Sequence, residues 1–345
     1  MGVTDAREGT EGVVPRQVTM ADVAARVGVS RQLVSLAFRD QRGVSAETKR
    51  RIFDAARALD YSPNTAARLL RSSSTKSIGV VFNPAESAPL DIIDCLHQTA
   101  RSAGYTIVVS TSTPAHVERD AIRELVSYRC EALVLISPRG DADDIRDAAG
   151  STPVVVFGRN VQNDAFDVVR SRGQEGIAAI VGHLVELGHS DIAYLHGPEM
   201  LDAESRRMGY TSSMRRLELE ERMVEVRDEY TEESGASAAR RLLAEGTLPT
   251  AVVCSNDQAA FGLMQALRQS GVRVPDDVSV TGYDDSRLAQ LSFIDLTTAR
   301  QDPKEVAAAV VEMALFRING STDPARRSFT SAPLIVRGST APPPG

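Results

Sequence analysis

Between residues 18 and 38 the apolar residues recur three and four positions apart, which is the spacing of one face of an α-helix. The first stripe consists of Met20, Val23, Ala24 and Val27. Thr19 can cap this helix, and Gly28 permits a tight turn after it. Ser30 can then cap a second helix that runs to about Phe38. Two helices this short bury little surface alone, so the pattern predicts a helix-turn-helix unit that packs on a third helix.

A third helical pattern follows a polar loop over residues 39–43. Ser45 can open this helix over residues 46–59, whose apolar stripe consists of Ile52, Ala55, Ala56 and Leu59. We expect it to end before Pro63, because the residue before a proline is pushed out of the helical region. Residues 64–70 read NTAARLL, a helix-forming composition that is too short to hold a helix without a partner. The alternatives for this stretch are a plain linker and a helix that forms on a partner.

From Ser77 onward, short apolar runs alternate with helical stretches. The first series predicts strands at residues 78–82, 106–109, 132–136 and 154–157, with helices at about 90–103, 115–128 and 142–149. The second series predicts strands at 192–195, 251–254 and 278–281, with helices at about 174–187, 204–217, 232–244 and 257–270. Such regular alternation gives parallel sheets with helices on both faces. We therefore predict an α/β core of two doubly wound parallel-sheet lobes with a cleft between them.

Polar residues follow the predicted strands at the ends where open α/β sheets bind their ligands. They are Asn83, Arg159, Ser255, Asn256, Asp257, Tyr283, Asp284 and Asp285. Each can instead cap the next helix, and for Ser255 and Asp257 capping explains the residue equally well. Arg206, inside a predicted helix, can add a positive charge that faces the cleft. The convergence of polar groups from several strand ends favours a ligand site.

The first turn of the second helix carries side chains that are suited to reading DNA. In a helix-turn-helix unit these residues enter the major groove, so we expect Arg31 and Gln32, with Ser35 one turn later, to face base edges. Arg can bind guanine and Gln can bind adenine, each through two hydrogen bonds. The alternative from this stretch alone is a small helical subdomain whose Arg31 and Gln32 are merely solvated.

Composition and charge agree with a nucleic-acid-binding segment attached to a larger core. The 345 residues are 42% hydrophobic, which is enough for two or three domains. The net charge of -7 looks unfavourable for DNA binding until it is divided along the chain. Residues 1–76 hold 13 Lys and Arg against 8 Asp and Glu, whereas the remainder holds 26 against 38. The basic character is therefore confined to the N-terminal segment.

The cysteines and the N-terminal residues indicate a cytoplasmic protein. Cys95, Cys130 and Cys254 are far apart and lack metal-ligand spacing, so we expect reduced core residues and no metal site. Residues 1–16 are polar where a secretory signal needs an apolar run, and we expect them to form a disordered tail. No apolar stretch approaches membrane-spanning length.

Several segments together resemble the lactose-repressor (LacI/GalR-type) family of bacterial transcription regulators, from Val18 to about Thr340. They are VTMADVAARVGVSRQLVS, VSAETKRRI, LDYSPNTAARLL, IGVV, HLVELGHSDIAYLHGP, RRMGY, SNDQAAFGLM, VSVTGYDDS, LTTARQD and VRGST. Their order and spacing are more specific than any one of them. The resemblance implies a repressor that binds a near-palindromic operator as a homodimer, or as a dimer of dimers. It also implies a small effector, by default a sugar or sugar derivative, between the lobes of the core.

The same resemblance implies which residues contact DNA and effector. The DNA-contacting positions are Thr19, Ser30, Arg31, Gln32, Ser35, Leu36, Arg39, Asn64, Ala67 and Leu70. Leu70 is implied to be the wedge of a hinge helix that enters the minor groove. The effector-binding positions are Asn83, Arg206, Tyr230, Asn256, Asp257, Asp284 and Gln301. Two departures leave the operator and the effector open, because Leu36 is apolar where many members are polar and Gly158 lacks a polar ligand contact.

The expected domain boundaries follow from these assignments. They are a disordered tail at 1–16, a helix-turn-helix domain at 17–62, a hinge helix and linker at 63–76, an effector-binding core at 77–340 and a tail at 341–345. Within the core, we expect the first lobe at about 77–171 and 301–329 and the second at about 172–300 and 330–340. The resemblance implies that a helix at 303–318 returns to the first lobe.

Two other classes of function remain as alternatives. A two-lobed sugar-binding protein without a regulatory role would have a similar core, but a transport protein of that class needs a signal peptide and no helix-turn-helix. An enzyme of the doubly wound class is disfavoured because the G-x-G-x-x-G, P-loop, H-E-x-x-H and G-x-S-x-G motifs are absent. The five histidines are more simply explained as structural residues. We predict a cytoplasmic, nucleoid-associated regulator with no enzymatic activity and no cofactor.

Overall fold

The computed structural model describes residues 18–38, 43–61, 74–85, 89–159, 165–197, 203–225 and 231–344. These residues form two compact units that divide between Ser74 and Thr75. Within them, no helix combines the length and the apolar character needed to cross a lipid bilayer. The predicted tail and most of the predicted hinge lie outside the described residues. So do five of the predicted site residues, namely Arg39, Asn64, Ala67, Leu70 and Tyr230.

Three helices form the N-terminal unit: α1 (Met20–Val27), α2 (Arg31–Phe38) and α3 (Ala46–Ala58). Each contributes one fully buried side chain to the centre of a small core, namely Val23, Val34 and Ile52. Gly28 follows α1 in the left-handed conformation at φ 73°, as the predicted tight turn requires. The Arg51 guanidinium on α3 donates to the Val27 carbonyl at 2.9 Å and fixes the end of α1. The predicted helix-turn-helix unit is thus present.

Helix α3 ends earlier than the sequence pattern predicts. We expected it to reach residue 59 and to end through a proline effect, but its last helical residue is Ala58. Asp60 adopts a left-handed φ of 50°, and the Tyr61 amide donates to the Ala56 carbonyl at 2.8 Å. This is the Schellman closure of a helix, with Asp in the place that glycine usually takes. Local backbone hydrogen bonds therefore end the helix before the proline acts.

The first sheet of the C-terminal unit has six parallel strands. In sheet order they are β11 (Arg327–Thr330), β5 (Asp167–Ser171), β4 (Val154–Phe157), β3 (Ala132–Ile136), β1 (Ser77–Phe82) and β2 (Thr106–Thr111). Helices α4 (Pro89–Ser102) and α11 (Pro303–Ile318) cover one face of this sheet. Helices α5 (Glu118–Ser127) and α6 (Ala142–Ala149) cover the other. We call this part the first lobe.

The second lobe is built around a parallel sheet of four strands. In sheet order they are β7 (Arg222–Glu225), β6 (Ile192–His196), β8 (Ala251–Cys254) and β9 (Ser279–Thr281). Helices α7 (Gly173–Glu186) and α8 (Ala203–Arg216) cover one face, and α9 (Glu232–Glu245) and α10 (Asp257–Gln269) cover the other. A short antiparallel pair, β10 (Thr298–Ala299) and β12 (Leu334–Ile335), packs on α7.

The chain passes between the two lobes three times. The crossings lie at Arg172, at residues 300–302 and at residues 331–333, because the elements on either side of each belong to different lobes. The doubly wound two-lobed architecture is the predicted one. Strands β5, β7 and β11 were not predicted, because these short runs contain charged residues and lack a continuous apolar pattern.

Helices α9 and α10 pack with their backbones in contact. A Cβ on Gly235 would lie 1.9 Å from the Ala259 carbonyl oxygen, and a Cβ on Gly262 would lie 1.8 Å from the Glu232 carbonyl oxygen. No side chain fits at either position. This close approach fixes α10, whose N-cap residue Asn256 lies at the carboxyl end of β8.

Candidate nucleic-acid interface and ligand cleft

The first turn of α2 presents polar side chains to solvent. The Ser30 hydroxyl accepts a hydrogen bond from the amide three residues later at 3.1 Å, so Ser30 caps the helix as predicted. Val34 and Ala37 are buried in the small core, and Arg31 and Gln32 are exposed. The exposed pair therefore occupies the helix turn from which a recognition helix reads base edges.

The other predicted DNA-contacting residues described in this unit differ in exposure. Ser35 and Leu36, one turn further along α2, are half-buried. Thr19 is exposed, and the Asp22 carboxylate accepts from its amide at 2.8 Å and from its hydroxyl at 2.7 Å. Asp22 thus takes the place of the Glu of a capping box.

The carboxyl edges of the two sheets lie next to each other, so the predicted cleft belongs between them. Strand order reverses between β1 and β3 in the first lobe, and between β6 and β8 in the second. Ligands of open α/β sheets bind outside the carboxyl ends of strands at such points. The Gln258 side-chain amide, just after β8, donates to the Ala85 carbonyl, just after β1, at 3.0 Å. The residues that follow these strands therefore line the candidate ligand site.

Three predicted effector-binding residues meet at the carboxyl edge of the second lobe. Arg206 Nη2 lies 3.5 Å from Asp284 Oδ1, and Gln301 Nε2 donates to the same oxygen at 2.5 Å. Arg206 Nη1 donates to the Ser255 carbonyl at 2.5 Å, and its guanidinium carbon lies 3.8 Å from the centre of the Tyr283 ring. The Arg206 and Asp284 side chains are only 13% and 9% exposed, so solvent ions screen their attraction weakly. We call these three residues the Arg206 cluster.

The backbone around Asp284 is fixed to a lobe crossing. The Asp284 amide donates to the Ala299 carbonyl at 2.8 Å, and the Gln301 amide donates to the Asp284 carbonyl at 3.1 Å. Asp284 also has a φ of 119°, a conformation that residues with a side chain rarely adopt. Such strain persists only where the surrounding structure enforces it, and it is common at ligand sites. A movement of this crossing would therefore move Asp284.

Asp257 lies behind the Arg206 cluster and does not reach the cleft surface. Its side chain is fully buried, and its two carboxyl oxygens accept hydrogen bonds from the Thr298 hydroxyl and the Ser286 amide, both at 2.7 Å. Burial and, secondly, the nearby Asp284 carboxylate raise the pKa of Asp257 to about 8. Glycine is needed at 282, where a Cβ would lie 2.2 Å from Asp257 Oδ1. In this arrangement Asp257 acts on a ligand only through its neighbours.

The two predicted asparagines make local hydrogen bonds at the cleft edges. The Asn256 side-chain oxygen accepts from the Ala259 amide at 2.9 Å, which is the capping role that the sequence left open. The Asn83 side-chain oxygen accepts from the Ala85 amide at 3.0 Å. Both asparagines are half-buried. The Ser255 hydroxyl is buried and donates to a β6 carbonyl at 2.7 Å, so it supports the second sheet.

Two bridges between the lobes were not predicted. Besides its bond to the first lobe, the Gln258 amide donates to the Glu232 carboxylate at 3.2 Å. The Arg287 guanidinium, in the loop after β9, donates to Asp91 at 2.5 Å and to Asp94 at 3.2 Å on α4. No local sequence signal marks these pairs, because Arg287 lies 196 and 193 residues from its partners. Both bridges connect the lobes at the cleft.

Comparisons with known proteins cover both units. The family model described as bacterial regulatory proteins, lacI family, matches residues 19–64. The model described as a periplasmic binding protein-like domain matches residues 181–340.

Relatives match nearly the whole chain. The HTH-type transcriptional repressor PurR of Pasteurella multocida is 30% identical over 93% of this chain and 98% of its own. The HTH-type transcriptional regulator AscG of Escherichia coli is 32% identical over 94% of this chain and 99% of its own. The lactose operon repressor of Escherichia coli is 33% identical over 87% of this chain and 84% of its own.

Solved structures match most of the chain. The lac repressor dimer bound to operator and the anti-inducer ONPF matches with a TM-score of 0.78 at 30% identity, over 94% of this chain and 100% of that one. A LacI transcriptional regulator from a Rhodococcus species matches with a TM-score of 0.73 at 35% identity, over 77% of this chain and 98% of that one. The helix-turn-helix unit and the two-lobed core thus have counterparts in single known chains.

Proposed function

Since the chain belongs to the lacI family of bacterial regulatory proteins, we propose that it acts as a homodimer on a near-palindromic operator. A small effector, a sugar or sugar derivative, binds in the cleft and controls this binding. Relatives named as repressors and regulators confirm the predicted family and the predicted non-enzymatic nature. The lac repressor structure and the periplasmic binding protein-like domain confirm the predicted fold. The chain is accordingly a transcriptional repressor of this family with an effector-binding core.

The proposal keeps the predicted organisation of the chain. It assigns residues 17–62 to the DNA-binding domain, 63–76 to the hinge and 77–340 to the effector-binding core. A dimer of dimers is the alternative assembly, and the cytoplasm, in association with the nucleoid, is the expected location. Asn64, Ala67 and Leu70 of the hinge stay predicted DNA contacts, with Leu70 as the residue that enters the minor groove.

The observation that carries the effector proposal is the Arg206 cluster. Arg206 is a planar donor, Asp284 accepts from hydroxyl groups, and Gln301 can do both. The cluster lies at the carboxyl edge of the second sheet, where parallel sheets bind ligands. A polyhydroxylated ligand suits this set, because it offers both donors and acceptors. Tyr230 stays a predicted partner for the apolar face of such a ligand.

The DNA-binding proposal rests on the exposed first turn of α2. Arg31 and Gln32 project from a helix whose opposite face is buried, so the helix can enter a groove without unfolding its own small core. Half-buried Ser35 and Leu36 extend the same surface, and Leu36 suits a thymine methyl group. A dimer presents two such helices, which is why the operator is expected to be near-palindromic.

Coupling between the two functions follows from the connections of the core. The Arg206 cluster includes Gln301 of the second crossing, so an effector bound there contacts a segment that joins the lobes. Thr75 leads directly into β1 of the first lobe, so a rotation of that lobe reaches the residues before it. A ligand shifts this equilibrium only by its differential affinity for the two arrangements, typically about 1 to 3 kcal/mol.

The alternative function is a two-lobed sugar-binding protein without a regulatory role. The lacI-family match at residues 19–64 and the exposed Arg31 and Gln32 favour the regulator. Operator selection from random DNA with the purified chain separates the two. Enrichment of a near-palindromic site supports the regulator, whereas binding no better than to bulk DNA at moderate salt leaves only the sugar-binding protein.

The effector site is tested by operator affinity across an effector titration. Arg206→Ala and Asp284→Ala should lose the response, and Arg207→Ala is the matched control because it removes the same charge from the next position of α8. If the effector releases DNA, both variants bind operator like the parent in its absence. If it is a co-repressor, both fail to bind operator at any effector concentration. A full response in both variants places the ligand elsewhere.

A further inference from the structure

Arg159 lies in the first lobe, near the point where the strand order of the sheet reverses between β1 and β3. Arg159 follows β4, and its Nη1 donates to the carbonyl oxygens of Pro138 at 2.9 Å and Gly140 at 2.7 Å. These two residues follow β3, one of the two strands between which the order of the first sheet reverses. The Arg159 guanidinium is thus held at the edge of the crevice where an open sheet binds its ligand.

Among the described residues, no carboxylate pairs with the Arg159 guanidinium. Its hydrogen bonds go to backbone carbonyls. Two acidic side chains near this turn, one from α5 and one from the turn itself, accept from backbone amides. Glu118 accepts from two amides of the turn, both at 2.9 Å, and Asp141 caps α6. Arg206, across the cleft, does have a carboxylate, that of Asp284 at 3.5 Å. In the part of the chain that the structure describes, the Arg159 guanidinium therefore forms no ion pair, unlike Arg206.

A hydroxyl group lies next to the backbone that leads into Arg159. Ser137 directly follows β3, has a left-handed φ of 49° and is half-buried. Gly158, directly before Arg159, lets the backbone pass close to this hydroxyl, because a Cβ at 158 would lie 3.0 Å from Ser137 Oγ. Gly158 also has a φ of 80°, which only glycine adopts without strain. A guanidinium and a hydroxyl are donors of the kind that bind carboxylate and phosphate oxygens.

We propose that the effector carries an anionic group, a carboxylate or a phosphate, which Arg159 and Ser137 of the first lobe bind. The inference rests on the proposed effector site and adds the charge of its ligand, since the Arg206 cluster binds the hydroxyl-bearing part. A ligand that spans both sets holds the lobes together. A neutral sugar leaves the Arg159 charge uncompensated when closure of the cleft excludes water, and an unpaired charge in such a place is unfavourable.

Sugars that differ only in an anionic group test the charge of the effector. The melting temperature of the full-length chain is measured with D-glucose, D-glucuronate and D-glucose 6-phosphate at equal ionic strength, and with the corresponding galactose and ribose series. We expect the anionic sugars to raise the melting temperature and the neutral sugars to leave it unchanged. Stabilisation by the uronate identifies a carboxylate as the bound group, and stabilisation by the sugar phosphate identifies a phosphate. A neutral sugar that stabilises the chain as much as its anionic partner overturns the inference, as does a panel in which no anionic member binds.

Substitutions of Arg159 test whether this residue binds the anionic group. By calorimetry, Arg159→Gln should weaken binding of the anionic ligand about tenfold or more, and Arg159→Lys should keep part of the affinity because it keeps the charge. Arg146→Gln, on the exposed face of α6, is the matched control and should bind like the parent. If Arg159→Gln lowers only the melting temperature of the free chain and leaves ligand affinity unchanged, Arg159 merely holds its turn and the inference is overturned.

Arg206→Ala distinguishes this failure from failure of the proposed function. Loss of binding of a neutral ligand in Arg206→Ala, with unchanged binding in Arg159→Gln, refutes the anionic group and keeps the effector cleft. Unchanged ligand binding in both variants refutes the cleft itself.

Discussion

Replacement of Asp257 by asparagine tests the charge state behind the Arg206 cluster. Because the pKa of Asp257 is raised to about 8, the acid is neutral in the folded chain at pH 7, and asparagine has nearly the same shape. The asparagine oxygen can accept from the Ser286 amide, and its nitrogen can donate to the Thr298 hydroxyl. We therefore expect Asp257→Asn to fold like the parent.

The difference should appear in the pH dependence of stability. The pKa of Asp257 rises from an ordinary value of 3.8 to about 8 on folding, so between these pH values the folded chain binds one proton more than the unfolded chain. The contribution of this group to the free energy of unfolding is therefore greatest in acid. It falls by about 1.4 kcal/mol for each pH unit as the pH rises toward 8. From pH 5 to pH 8 the parent should lose about 4 kcal/mol that the variant keeps.

Urea unfolding of the full-length chain at pH 5, 6, 7 and 8 measures this difference. The chain has no tryptophan, so far-ultraviolet circular dichroism is the signal. Asp285→Asn is the control, because this buried carboxylate of the same loop is paired with Arg300 at 2.6 Å and with Arg337 at 2.5 Å. It should lower the free energy of unfolding at every pH, by about 3 kcal/mol. Parallel pH curves for the parent and Asp257→Asn would mean that Asp257 is ionised in the folded chain, which refutes the reasoning.

Three other substitutions test separate parts of the molecule. In gel-shift titrations, Arg31→Ala should weaken operator binding by about 1 to 3 kcal/mol and relax preference at one base pair, whereas Arg57→Ala on α3 should leave the preference intact; the reverse pattern would assign base reading to α3. Gly262→Ala should destabilise the chain by at least the roughly 1 to 3 kcal/mol of ordinary overpacking, because the new Cβ meets a carbonyl of α9. Gly182→Ala in α7, where a Cβ meets nothing within 4 Å, should instead raise the melting temperature, and equal effects of the two changes would contradict the packing argument. Arg287→Ala should raise the effector concentration at half-response, because the two ion pairs that join the lobes are lost; an unchanged midpoint would show that this bridge does not favour effector binding.

The Arg206 cluster could be predicted because the order of strands and helices can be read from the sequence. The carboxyl ends of parallel strands meet at one edge, so residues that follow different strands converge. Arg206 and Asp284 are joined in the structure although they lie 78 residues apart. The same rule could not separate Asp284 from Asp257. Their difference in burial comes from Thr298 and Ser286, which enclose Asp257 from segments that no local pattern connects to it.

The strands that were missed show the limit of periodicity. β5 begins with Asp167, a residue that argues against a buried strand when it is seen alone. In the fold its side chain is fully enclosed, and both of its oxygens accept from Arg317 on α11 at 2.7 Å. The partner lies 150 residues away, so the compensation is invisible to a local window. β7 and β11 are edge strands, which need fewer apolar residues because one flank has no neighbouring strand.

The nested path of the chain has a consequence for its synthesis. The first lobe lacks α11 and β11 until residue 330 has been made, whereas all four strands of the second sheet precede residue 282. At about 5 to 20 residues per second, the roughly 160 residues between the end of β5 and the end of β11 take about 8 to 32 s to translate. During that time Asp167 has no Arg317, and the face of the first sheet that α11 covers stays open. On the ribosome, the sheet that begins first is completed last, and its uncovered face stays accessible to chaperones during that time.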